Sequence, residues 1–112
     1  MKTILVVEDD VSLGQTLSER LQKVGHKSFL APDLAHAWEL FSNNTIDLIV
    51  LDVGLPDGTG FDFAERVNKA KLTPIVFVTA QSGADDRLRG FELGAQEFLP
   101  KPFHLKEFLC AK

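Results

Sequence analysis

The 112 residues are 45% hydrophobic and 25% charged, with a net charge of -4; this is the balance of one water-exposed domain able to bury a core without disulfides or structural metals. No stretch approaches the roughly 18 apolar residues of a membrane span, and the start Met1-Lys2 runs through Val7 into Glu8 without a small-residue cleavage site, against a signal peptide. The acidic balance offers no basic face to a nucleic-acid backbone, and the lone Cys110 predicts a reducing, cytoplasmic compartment.

Thr3 to Val7 is apolar and β-branched and predicts a strand ending in Glu8, Asp9 and Asp10. Asp10 or Ser12 caps the helix that follows, in which Leu13, Leu17, Leu21 and Val24 form one stripe and Gly25 is the stop. Lys27 to Ala31 is more polar and reads as an edge strand. Asp33 caps a second helix with Leu34, Ala37, Trp38 and Phe41 on one face, ended by Asn43-Asn44. Framed by Ile46, an apolar run from Leu48 leads through Leu51 into Asp52, the pattern of a central strand buried on both faces.

Leu55-Pro56-Asp57-Gly58-Thr59-Gly60 predicts a rigid loop in which Asp57 is a turn residue. Phe63, Ala64, Val67 and Ala70 mark a third helix, and Pro74 to Thr79 another buried strand. A fourth helix from about Ala84 turns Leu88 and Phe91 inward and closes at Gly94. Glu97 to Leu99 is a brief strand before Pro100-Lys101-Pro102, and Leu105, Phe108 and Leu109 open a last helix that is expected to be truncated. Alternating strands and helices with right-handed crossovers give an α/β domain over 1–112, with a parallel sheet covered on both faces.

In this register the carboxyl ends of four strands carry Glu8-Asp9, Asp52, Thr79-Ala80 and Lys101, all on one edge. Carboxylates brought so close repel one another unless a cation compensates. Hard oxygen donors with room for water suit Mg²⁺. Lys101 offers a compact positive charge for Asp52 or for a phosphoryl oxygen, and Thr79 a hydroxyl. Each residue also has a plainer reading: the acids as a solvated helix entry, Asp52 as a cap or turn residue, Thr79 as a β-branched strand end, Lys101 as a surface lysine. Their joint placement favours a site. His26, His36 and His104 have no metal-ligand spacing and read as surface residues, and Trp38 as packing.

Taken together, the acidic pair after the first strand, Asp52 followed by Leu55-Pro56-Asp57-Gly58-Thr59-Gly60, Val78-Thr79-Ala80 and Lys101-Pro102-Phe103 resemble the receiver domain of bacterial two-component response regulators. The likeness extends over essentially the whole sequence. It implies a flavodoxin-like doubly wound sheet of five parallel strands, order 2-1-3-4-5. It implies Asp52 as phosphoacceptor, Asp9 as direct Mg²⁺ ligand, Glu8 as its acidic neighbour acting through water, and the Gly54 carbonyl as the third protein ligand. Lys101 then bridges to the phosphoryl group, Thr79 turns its hydroxyl toward it, and Phe98 is the aromatic that swings inward with Thr79. A cis Lys101-Pro102 bond, which composition alone does not decide, belongs to the same implication. Gly54 and Gln81 stand where they would tune the attack of water on the product.

The implied partner is a sensor histidine kinase, and the implied output is transcription, through a domain absent from this sequence that alone would touch DNA. Arg87 through Glu92 to Phe103 resembles the subfamily with winged-helix outputs, whose receivers form homodimers through the fourth helix, fifth strand and fifth helix. Arg87, Glu92 and Glu97 suit such a face, whereas Gln96 and Ala111 replace the usual acid and arginine. An aspartate-nucleophile phosphatase would carry an acid two residues after Asp52, where Gly54 stands. A docking domain that never cycles phosphate would have no use for the acids and Lys101.

Overall fold

The computed structural model describes residues 2–80 and 83–100. Strands that are apolar along nearly their whole length are buried between two layers of helix, and three segments of this chain have that character. Along β1 (Thr3–Val7), Ile4, Val6 and their alternates Leu5 and Val7 are all buried; β3 (Leu48–Leu51) and β6 (Ile75–Thr79) are buried throughout. They pair in parallel with β2 (Lys27–Ala31) and β7 (Glu97–Pro100) in the order β2-β1-β3-β6-β7. This is the expected order 2-1-3-4-5 of a flavodoxin-like sheet, and the more polar β2 lies at its edge as expected.

Alternation along the strands divides the core in two. Ile4, Val6, Leu48, Val50, Val76 and Val78 face Leu17 and Leu21 of α1 (Val11–Lys23). The other face, with Leu5, Val7, Ile49, Leu51, Ile75 and Phe77, is covered by α2 (Leu34–Asn43) and α3 (Gly60–Ala70). Trp38 of α2 meets Phe63 of α3 edge to face at 6.1 Å and carries the Arg66 guanidinium 3.7 Å above its ring, so it packs as expected.

Caps explain the helix starts. Asp10, rather than Ser12, accepts from the Leu13 N–H; Asp33 accepts from His36 N–H, and Thr59 from Asp62 N–H. Several expectations require correction. Val24, assigned to the α1 stripe, is the C-cap and is exposed, because the helix has already ended; Ala70 is likewise exposed at the last turn of α3. Gly54 to Thr59 is not only a loop: β4 (Gly54–Leu55) and β5 (Gly58–Thr59) form a small antiparallel hairpin.

The largest correction concerns α4 (Ala84–Glu92). Leu88 and Phe91, expected inward, are 59% and 45% exposed, and the buried residue is Gly90. The reason is steric: Phe98 of β7, 1% exposed, fills the space beneath the helix, and a Cβ on Gly90 would stand 2.7 Å from its ring. The helix therefore lies with its glycine, not its apolar side chains, against the sheet. The last helix, Lys101 with the isomer of its bond to Pro102, and Gln81 lie outside the described residues. Among the described residues no helix is long and apolar enough to cross a membrane.

Candidate functional site

Because β1 and β3 are neighbours in register, Val7 beside Leu51, the next residues of both strands emerge together at the carboxyl edge. The Asp52 N–H still donates to the Val7 carbonyl at 3.1 Å and the Glu8 N–H to the Ala31 carbonyl at 3.0 Å, so the ladder carries both acids into place. Glu8 is 3% exposed and Asp52 6%, whereas Asp9 is open to solvent. One oxygen from each of the three carboxylates lies within 4.8 Å of the others.

Two of these groups are oriented by backbone amides. The Asp10 N–H donates to Glu8 Oε1 at 3.1 Å, which ties the carboxylate to the capped start of α1. The Gly54 N–H donates to Asp52 Oδ1 at 3.3 Å, a local turn that points one oxygen back along the chain. Thr79, at the end of β6, is 1% exposed and stands at the same edge, since β6 pairs with β3. Phe98 neighbours Phe77 across β6 and β7 with ring centroids 5.7 Å apart. Thus Glu8, Asp9 and Asp52 converge, with Gly54 hydrogen-bonded to Asp52 and Thr79 on the adjacent strand. Lys101 and Gln81 fall outside the described residues.

Three carboxylates held this closely, two of them almost completely buried, concentrate negative charge that a hard divalent cation relieves. All the donors are oxygen, Asp9 leaves a side open to water, and the spacing fits a cation that retains part of its hydration; the residues present fit Mg²⁺.

Two contributors to this arrangement escape a reading of local pattern. Gly60 opens α3 directly against the backbone of Asp52, where any Cβ would collide with the Asp52 carbonyl, and its N–H donates to the Val53 carbonyl at 2.7 Å. The only signal in the sequence is a glycine placed where a helix begins. Asp57 sits in the turn as expected, and its carboxylate also accepts from the Leu34 and Ala35 N–H groups at the start of α2, at 2.9 and 3.0 Å.

Nearby, the Asp33–His36 pair at 2.7 Å shifts both groups. The His36 N–H and then its ring hold Asp33 below the usual carboxylate range, and the Asp33 hydrogen bond raises His36.

Comparison with known proteins places these features in context. Residues 4–111 match the family model described as the response regulator receiver domain. The chain is 41% identical over 105 residues to the transcriptional regulatory protein RprY of Bacteroides fragilis, and 38% identical over 110 residues to the transcriptional regulatory protein CpxR of Escherichia coli. Those alignments cover 93% and 98% of this chain but 44% and 47% of the relatives, so the chain spans less than half their length. The non-phosphorylated HemR receiver domain from Leptospira biflexa superposes with a TM-score of 0.93 at 55% identity, covering 99% of this chain and 90% of that one.

Proposed function

From the premise that this chain belongs to the response regulator receiver family, we propose that it accepts a phosphoryl group on Asp52 from a phosphohistidine of a sensor histidine kinase. The observation that carries this reading is the convergence of Glu8, Asp9 and Asp52 at the carboxyl edge of the sheet, with one oxygen of each within 4.8 Å of the others.

An Asp52 oxygen forms the new O–P bond as the N–P bond of the phosphohistidine breaks, and the departing imidazole keeps its ring nitrogen's electron pair. Anionic nucleophile and anionic donor repel each other, so positioned positive charge is the main catalytic requirement. Asp9, Glu8 acting through water, and the Gly54 carbonyl would hold Mg²⁺ beside Asp52. The bound ion would supply charge neutralisation at the approaching oxygens. Lys101 adds a second positive charge, and the Thr79 hydroxyl donates to a phosphoryl oxygen once it arrives. The product, an acyl phosphate, is open to hydrolysis; Gly54, with no side chain in the way of water, and Gln81 are the positions proposed to set its lifetime. Gly54 also stands where an aspartate-nucleophile phosphatase would need its second acid, which favours a phosphoacceptor over that enzyme.

The Thr79 and Phe98 pair then biases the face formed by α4, β7 and the segment after it. An output domain following this sequence, transcriptional as in RprY and CpxR, and a homodimer through that face complete the proposal. Incubation with acetyl phosphate and Mg²⁺, read by intact mass, tests its centre. Wild type should gain one phosphoryl mass and Asp52→Asn none; an unlabelled wild type, or equal labelling of both, rejects it.

A further inference from the structure

The hairpin β4/β5 reaches away from Asp52 and comes to rest on a different element. Leu55 pairs with Gly58 and Gly54 with Thr59, which leaves Pro56-Asp57 as the turn at the tip. There the Asp57 carboxylate takes two backbone N–H groups of the first turn of α2, Leu34 on one oxygen and Ala35 on the other, across 23 and 22 residues of sequence. These are donors that a helix leaves without intrahelical partners, and a carboxylate at a helix N-terminus is favoured by the dipole as well.

A second contact joins the same two elements. Gly58 adopts φ 149, and its Cα comes so close to α2 that an added Cβ would lie 3.1 Å from Leu34 Cδ1. Leu34 in turn packs on the main core beside buried Ala37. At its other end the hairpin is pinned beside Asp52: the Gly54 N–H donates to Asp52 Oδ1, and the Gly60 N–H to the Val53 carbonyl. The hairpin is thus a strap tied at both ends, one end beside the phosphoacceptor and the other on α2.

We propose that Asp57 is a positioning residue for divalent-cation binding: by fastening the strap to α2 it fixes the direction of the Gly54 carbonyl toward the acidic cluster. This rests on the reading of Gly54 as a ligand given above. Asp57 itself has both oxygens engaged by amides and acts through the backbone. Only Leu55 and Pro56 separate it from Gly54, so loosening one end lets the carbonyl swing while the carboxylates stay where the sheet holds them.

Asp33 provides the control. It too caps α2, accepting the His36 N–H at 2.8 Å, but it does not touch the hairpin through that bond. Losing either cap costs helix stability, whereas only the loss of Asp57 frees the strap.

Mg²⁺ affinity is to be measured by titration calorimetry on wild type, Asp57→Ala, Asp57→Asn and Asp33→Ala, with urea unfolding and amide exchange on the metal-free proteins. Groups that orient a ligand from behind are worth ~10-fold or more in metal affinity. Asp57→Ala should therefore weaken Mg²⁺ binding by about 3- to 10-fold, the lower values reflecting action through a strap. Asp57→Asn, which keeps one acceptor oxygen, should fall between, and Asp33→Ala should match wild type within about twofold while losing comparable stability. In the metal-free Asp57→Ala protein, the Leu34 and Ala35 amides should exchange faster, and those of Gly54 and Gly60 with them. Wild-type affinity in Asp57→Ala overturns the proposal, as does an equal loss in Asp33→Ala, since that would make the effect one of stability alone. A wild type that binds no Mg²⁺ rejects the metal reading beneath it, a result distinct from both.

Discussion

The two ends of the proposed signalling path are built differently. At the carboxyl ends of β1 and β3 the reactive side chains are extensions of buried strands: Glu8 and Asp52 are fixed by ladder hydrogen bonds, and their neighbours Val7 and Leu51 are fully covered. Helix α4, by contrast, meets the sheet through a glycine. Gly90 lies over Phe98, the Arg89 guanidinium sits 5.1 Å from the Phe61 ring and 3.9 Å from Asp62, and Leu88 and Phe91 face outward. The proposed chemistry, which demands fixed geometry, uses the part held by main chain and core. The surface proposed to change partners lies where little apolar area resists displacement.

The sharpest way to break this contrast is to attack the fixed end. Gly60→Ala puts a methyl into the Asp52 carbonyl, a collision with backbone that no rotamer relieves. A loss of about 3 kcal/mol in urea unfolding is expected, at the upper end for overpacking, together with loss of acetyl phosphate labelling. A stable, labelled Gly60→Ala protein would mean that α3 need not abut Asp52.

The corresponding change at the movable end should cost less and be reversible by a partner. Gly90→Ala meets a side chain, the Phe98 ring, so about 1–2 kcal/mol is expected. Phe98→Leu in the same chain should return a large part of it, because the two sites touch and their effects are then non-additive. Additive losses would show that Gly90 and Phe98 do not share the space assigned to them.

Smaller again, Leu88→Ser and Phe91→Ser should each leave stability within about 0.5 kcal/mol of wild type, since both are exposed. A much larger loss in denaturant would place them in a core.

The smallest effect belongs to the α2 turn beside the hairpin. His36, raised mainly by its hydrogen bond to Asp33, contributes fully below its ordinary pKa of about 6.5 and loses its contribution as pH rises through the raised value. Asp33, lowered, contributes above its ordinary value near 3.8 and loses it as pH falls through the lowered one. The pair is therefore strongest from about pH 4 to 6.5, and both groups are solvent-exposed enough for the effect to be slight. An imidazole NMR titration of His36 should give a midpoint above 6.5 in wild type and near the ordinary value in Asp33→Ala.

What could be read in advance follows the same division. Buried parallel strands write themselves as continuous apolar runs, and the acids at their ends are conspicuous because nothing else about those runs is polar. The parallel α/β sheet and the convergence of Glu8, Asp9 and Asp52 were therefore legible, and the strand order followed from the resemblance to receiver domains. The periodic rule failed at α4, where Leu88 and Phe91 have helical spacing yet point outward. The inward residue is a glycine, whose value lies in what it lacks, and hydrophobic patterning is blind to that. Asp57 was legible as a turn residue, which it is, but its carboxylate's reach to α2 was not, because its partners, Leu34 and Ala35, are more than twenty positions away and are backbone groups. Any residue could have supplied those amides, so no side-chain motif marks them.

Trp38 gives the α2 packing a practical use. The chain has one tryptophan and no tyrosine, so its near-ultraviolet emission comes from that indole, under the Arg66 guanidinium and one helical turn beyond Leu34. The light it emits therefore reports on the far anchorage of the hairpin rather than on the carboxylates, and a change in quantum yield on adding Mg²⁺ would be an optical record of tension passed along the strap.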